Sequence, residues 1–112
     1  MSDTEAVLTK DITREKLVAE LKALRPAFER EGVTRMTLFG SRARADNRAD
    51  SADSDVDLAI EIADGRKFSL LDLVGVGHLV EDHVGLRGNI FMRHSLEPDF
   101  LDEIRRDGVE VF

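Results

Sequence analysis

The stretch from Asp55 to Ile62, DVDLAIEI, alternates strictly between two kinds of side chain, and no other segment of the sequence constrains the fold as tightly. Successive residues of a strand point to opposite faces, so Val56, Leu58, Ile60 and Ile62 share one face, and Asp55, Asp57, Ala59 and Glu61 share the other. The first face belongs in a hydrophobic core. The second is left to water or to a ligand.

The other periodicities supply what packs against such a strand. Leu17, Leu21, Leu24 and Phe28 fall at helical spacing, with Thr13 as N-cap, Glu15 in the first turn and Gly32 just past the end. Pro26 lies inside that pattern and predicts a kink or a break, because proline removes a backbone donor and crowds the preceding turn. Residues 33 to 39, VTRMTLF, read as a short strand ending at Gly40, and the polar segment from Ala45 to Ser54 reads as a loop. Ser69 with Asp72 makes a capping pair for a helix carrying Leu70, Leu73, Val76, Val80 and Val84 and closed by Gly85, although Gly75 and Gly77 weaken it. Residues 89 to 92, NIFM, suit a third strand. Pro98 then stands in the first turn of a helix carrying Leu101 and Ile104, Gly108 follows it, and Val109 and Val111 indicate a last short strand. The order predicts an α/β (α+β) fold, a small mixed β-sheet packed with helices. With 112 residues there is room for one core, so residues 1–112 are expected to form a single domain.

Charge narrows the partners. The chain carries 23 acidic and 16 basic side chains for a net charge of −7, which repels nucleic acid polyanions and argues against bulk nucleic acid as a partner. A local basic patch at Arg42, Arg44 and Arg48 stays open. No apolar run approaches bilayer length, and the stretch MSDTEAVLTKD is acidic and mixed, unlike a secretory signal, so no membrane association and a cytoplasmic location are expected. The absence of cysteine excludes disulfides, thiolate metal sites and cysteine nucleophiles.

Asp55 and Asp57 lie two apart on the strand and point the same way, with Cα atoms roughly 6 to 7 Å apart. Both carboxylates can reach one divalent cation, and hard oxygen ligands suit Mg²⁺ or Mn²⁺, ions that also bind substrate phosphates. By itself this spacing more often marks solvated carboxylates. The segment upstream changes the balance: in LFGSRARA a strand runs into Gly40 and Ser41 and then into residues able to start a helix. Glycine allows close approach of the backbone, the serine hydroxyl can donate to a phosphate oxygen, and free amides at a helix start face an anion. Read alone, Gly40 and Ser41 are an ordinary turn with a serine cap. Arg42 and Arg44 are open to either of two roles, contact with a triphosphate or plain solvation.

Together, GSRARA, a polar loop and SDVDLAI resemble the signature of minimal nucleotidyltransferases of the DNA polymerase β superfamily. The shared motif spans Leu38 to Ile62, and the helix starting SLLDLV and the terminal VEVF follow the family's order. The resemblance implies an NTP-using fold with two metal ions, found beside HEPN-domain ribonucleases in bacterial toxin–antitoxin pairs. It implies that Asp55 and Asp57 are catalytic and hold Mg²⁺ or Mn²⁺, that Gly40 and Ser41, with Arg42 and Arg44, bind ATP or another NTP, and that a nucleoside monophosphate passes to a hydroxyl acceptor.

Three positions depart from the family pattern. Ala45 stands where glycine is usual, the loop RADSADSD before Val56 is longer than expected, and Asn89 stands where the next strand usually carries a third carboxylate. No Asp or Glu occurs from Leu86 to Leu96 that could replace it. An asparagine offers a carbonyl oxygen but no negative charge and no proton acceptor. Two functions therefore compete: an enzyme transferring AMP from ATP, and a catalytically degenerate, antitoxin-like module that acts by covering a HEPN-type protein. A generic α/β domain with a coincidental motif is the third and weakest reading. Glu61 is too far from Asp57 along the strand, about 13 Å, to share an ion and reads as a solvated edge residue. His78, His83 and His94 lack metal-ligand spacing and read as structural or surface groups.

Overall fold

The structure, a computed structural model, describes residues 12–44 and 55–112 of the 112-residue chain. Ala45, Arg48 and the loop to Ser54, on which several expectations rest, lie outside the described residues. Helix α1 spans Arg14–Ala23 and begins where the Thr13 hydroxyl accepts from the Lys16 amide at 3.1 Å. The chain breaks at Leu24, and a separate short helix α2, Arg25–Arg30, starts with Pro26 in its first turn. Proline thus ends one helix and opens the next, since its missing N–H is tolerated only in a first turn. Leu17, Leu21 and Phe28 from the two helices are fully buried.

Strand β1, Val33–Phe39, pairs antiparallel with β2, Val56–Ile62. Helix α3, Leu70–Val84, carries the expected capping box: Ser69 Oγ accepts from the Asp72 amide, and Asp72 Oδ2 accepts from the Ser69 amide at 2.8 Å. It ends at Gly85, whose φ of 84° is left-handed and cheap only for glycine. Gly75 and Gly77 do not interrupt it. A Cβ at Gly77 would stand 3.4 Å from the Gly88 carbonyl, so the small residue lets the helix approach the sheet. Strand β3, Gly88–Met92, then runs parallel to β2, and helix α4, Pro98–Asp107, leads to β4, Val109–Glu110, antiparallel to β1.

The described strands form one mixed sheet in the order β3-β2-β1-β4. On one face Val56, Leu58, Ile60, Met36 and Leu38 are buried with Leu17, Leu21, Phe28, Val76 and Val80. On the other, Phe39 and Ala59 pack with Ile104 of α4. The alternation in DVDLAIEI therefore separates two packed faces, with the polar residues concentrated toward the ends of the second. Leu70, expected on the core face of α3, is 74% exposed and lies beside Leu71 at 81%. The core-facing stripe begins one turn later. Glu61 is solvated as expected, its side chain 41% exposed, but it is not at an edge: β2 is an interior strand, and the carboxylate pairs with Arg35 at 3.2 Å and Arg93 at 3.7 Å. No described helix is long and apolar enough to cross a membrane.

Candidate functional site

The C-terminal end of β1 and the N-terminal ends of β2 and β3 meet at one end of the sheet. Asp57 stands between Phe39 of β1 and Asn89 of β3 in the strand register, and cross-strand partners share a face. Asp55 precedes β2 by one residue and lies on the same side. The Asn89 amide nitrogen ties them together, donating to Asp55 Oδ2 at 3.1 Å and to Asp57 Oδ1 at 3.0 Å. That orientation of the amide is dictated by its neighbours, because ionised carboxylates only accept. Both carboxylates are thereby turned toward one point.

Gly40 closes the other side of Asp57. Its φ is 77°, in the region that favours glycine, and a Cβ there would collide with Asp57 Oδ2. Two independent restrictions therefore require glycine at the end of β1. Beyond it the chain makes a single 3₁₀ turn, Ser41–Ala43, closed by the Ala43 amide donating to the Gly40 carbonyl at 3.1 Å. Among the described residues no longer helix follows Gly40, so this turn brings no long helix dipole to the end of the sheet. Ser41 is half-buried beside this turn.

The two arginines separate. Arg42 is 5% exposed and engaged within the protein, whereas Arg44 is exposed and reaches Glu103 of α4 at 3.5 Å. Of the two, Arg44 is the one whose guanidinium is open to solvent. Glu103 was not foreseen. It is close enough that its charge, with that of Asp55, pushes the Asp57 carboxyl upward, although burial is the larger cause and the Asn89 hydrogen bond opposes both. Nothing local in the sequence marks Glu103, because only the packing of α4 across β1 brings it near. Phe91 was also missed. It follows Asn89 by two residues, lies 38% exposed on the same face, and packs edge-on against Phe39 at 5.6 Å.

The two carboxylate oxygens that Asn89 leaves unbound, one on Asp55 and one on Asp57, are a fitting hard-oxygen donor set for Mg²⁺ or Mn²⁺, which commonly take only one or two protein carboxylates and complete their shell with phosphate and water. Among the described residues no group of three or more His, Cys, Asp or Glu is placed to hold an ion.

A sequence model of the nucleotidyltransferase domain matches residues 14–111. A candidate protein adenylyltransferase of Methanocaldococcus jannaschii is 33% identical over 86 residues, covering 77% of this chain and 87% of that protein. Protein adenylyltransferase MntA of Thermococcus cleftensis is 32% identical over 106 residues, covering 95% and 99%. Among solved structures, a candidate minimal nucleotidyltransferase superposes with a TM-score of 0.69 at 30% identity, covering 89% of this chain and 97% of that one. A Shewanella oneidensis complex of tri-AMPylated HEPN toxin with MNT antitoxin matches with a TM-score of 0.62 at 12% identity, covering 89% and 72%, a likeness of fold alone.

Proposed function

Because this chain belongs to the nucleotidyltransferase domain family, we propose that it binds a divalent cation with an NTP and transfers a nucleoside monophosphate, AMP from ATP, to a hydroxyl group on a HEPN-domain partner. Both curated relatives carry the name protein adenylyltransferase, which supports AMP transfer to protein. The Shewanella complex, an MNT antitoxin with an AMPylated HEPN toxin, supports the choice of partner. The observation that carries the reading is the meeting of the Gly40–Ser41 turn with an acidic pair whose carboxylates share one orienting donor.

In this reading the acceptor hydroxyl releases its proton to solvent as its oxygen attacks the α-phosphorus, the bond from that phosphorus to the bridging oxygen breaks, and pyrophosphate leaves. Asp55 and Asp57 hold the cation, Gly40 and Ser41 hold the terminal phosphates, and Arg44 exchanges Glu103 for a phosphate oxygen. Mg²⁺ or Mn²⁺ supplies charge neutralisation on the phosphate oxygens. The protein's own share is positioning, which suits a reaction whose transition state is stabilised chiefly by alignment and charge. A cytoplasmic setting fits the absence of cysteine.

The test is transfer of α-labelled ATP to a HEPN-domain protein encoded beside this one. Label is expected on the partner with Mg²⁺ or Mn²⁺ and absent with the double variant Asp55→Ala, Asp57→Ala. A second reading, the degenerate binding module, is favoured by one observation, the neutral Asn89 where a carboxylate is expected. It predicts no transfer by the wild type and transfer by Asn89→Asp. An inert wild type and an inert variant, with an acceptor verified by another transferase, would sink both.

A further inference from the structure

We propose that Asn89 stands in place of a second metal ion, its amide group bridging Asp55 and Asp57, so that the site takes one divalent cation per bound nucleotide. The inference rests on the nucleotidyltransferase reading and adds the stoichiometry and the role of this residue.

The geometry is specific. The two hydrogens of one amide nitrogen are both committed, one toward Asp55 Oδ2 at 3.1 Å and the other toward Asp57 Oδ1 at 3.0 Å. An ion seated on these same two oxygens from the β3 side, at about 2.0 to 2.1 Å, would meet a positively polarised donor already there. The amide therefore does locally what such an ion would do: it offsets the repulsion between neighbouring carboxylates and fixes which way each points. The other oxygens, Asp55 Oδ1 and Asp57 Oδ2, are not committed to this bridge. Asp57 Oδ2 faces Gly40, on the side where the phosphate-binding turn begins. A single cation carried in with the triphosphate meets the pair there.

The charge balance agrees. Asp55 and Asp57 carry two formal negative charges, which one divalent ion matches, and no third carboxylate completes a metal-binding group among the described residues. The competing arrangement turns the amide over, so that Oδ1 ligates a second ion and the two donor bonds are lost. It predicts two ions in the wild type.

The experiment counts ions directly. Mn²⁺ is titrated into the protein at saturating adenosine 5′-(α,β-methylene)triphosphate, which cannot release its α-phosphorus, and bound Mn²⁺ is quantified by electron paramagnetic resonance. One ion per chain is expected for the wild type and two for Asn89→Asp. Two ions in the wild type, or one in a folded Asn89→Asp protein, would overturn the assignment while leaving nucleotidyl transfer standing. Failure of the analogue to bind at any Mn²⁺ concentration would overturn the functional reading as well. A wild-type count of two overturns the assignment by itself, so the proposal stays refutable even where the variant does not fold.

Discussion

Asp57 shows the cost of building this site. Burial, and behind it the charges of Asp55 and Glu103, raise its carboxyl above its ordinary value, and the Asn89 hydrogen bond recovers part of that loss. A folded-state pKa above the unfolded one means that, between the two, the native state binds more protons than the unfolded state. Stability then falls as pH rises through that window and stays low at neutral pH. Asp57→Asn removes the titration and keeps an oxygen that can accept from Asn89. In metal-free buffer the variant should unfold at higher denaturant than the wild type at pH 7.5, with unchanged m-value. The gap should narrow as pH falls toward protonation of the carboxyl. Equal midpoints at pH 7.5 would mean that the Asn89 bridge fully offsets desolvation, and a lower midpoint for the variant that it outweighs it.

At the scale of elements, local chemistry sets the boundaries, and the capping box of α3 is the clearest case. The Ser69 hydroxyl accepts from the Asp72 amide at 3.3 Å, so Ser69→Ala should cost about 1 kcal/mol of stability. The capping pair is remote in function from Asp55 and Asp57, and nucleotide affinity should be unchanged. Thermal unfolding alongside a binding titration checks both, and a weakened affinity would show that α3 positions the site through β3. The same locality explains what the sequence disclosed. Thr13, Pro26, Ser69 and Gly85 act on neighbours within a turn, and each marks a boundary close to where it was expected. The Asp55–Asp57 pair was legible because a strand's two-residue period guarantees a common face. The residues after Gly40, able to start a helix, make one 3₁₀ turn over Ser41–Ala43, since three residues that fit a helix do not compel one. Leu70 and Leu71 read as apolar whether or not anything covers them, so their exposure left no trace in the pattern. Glu103 and the bridging role of Asn89 depend on contacts between residues far apart in the chain, which periodicity does not encode.

Across the whole molecule, the site and the core are joined by β2, whose one face is buried with α1, α2 and α3 while the other carries Asp57. Anything that binds the acidic pair therefore binds the strand at the centre of the fold, and only the folded state offers the pair and the Gly40 turn together. A ligand at 100 times its dissociation constant stabilises the native state by about 2.7 kcal/mol. At roughly 4 to 8 °C per kcal/mol for a domain near 100 residues, Mg²⁺ with ATP should raise the melting temperature by about 11 to 22 °C. ATP with a chelator should give a much smaller rise, because the triphosphate would face the two carboxylates without the ion that reconciles them. The variant Asp55→Ala, Asp57→Ala should lose the metal-dependent part of the shift. It should nevertheless melt no lower than the wild type without ligand, since removing Asp57 also removes a buried charge. Differential scanning calorimetry of both proteins under the three conditions measures each quantity. An Mg²⁺-dependent rise that survives in the double variant would place the nucleotide away from the end of the sheet where Gly40, Asp57 and Asn89 meet.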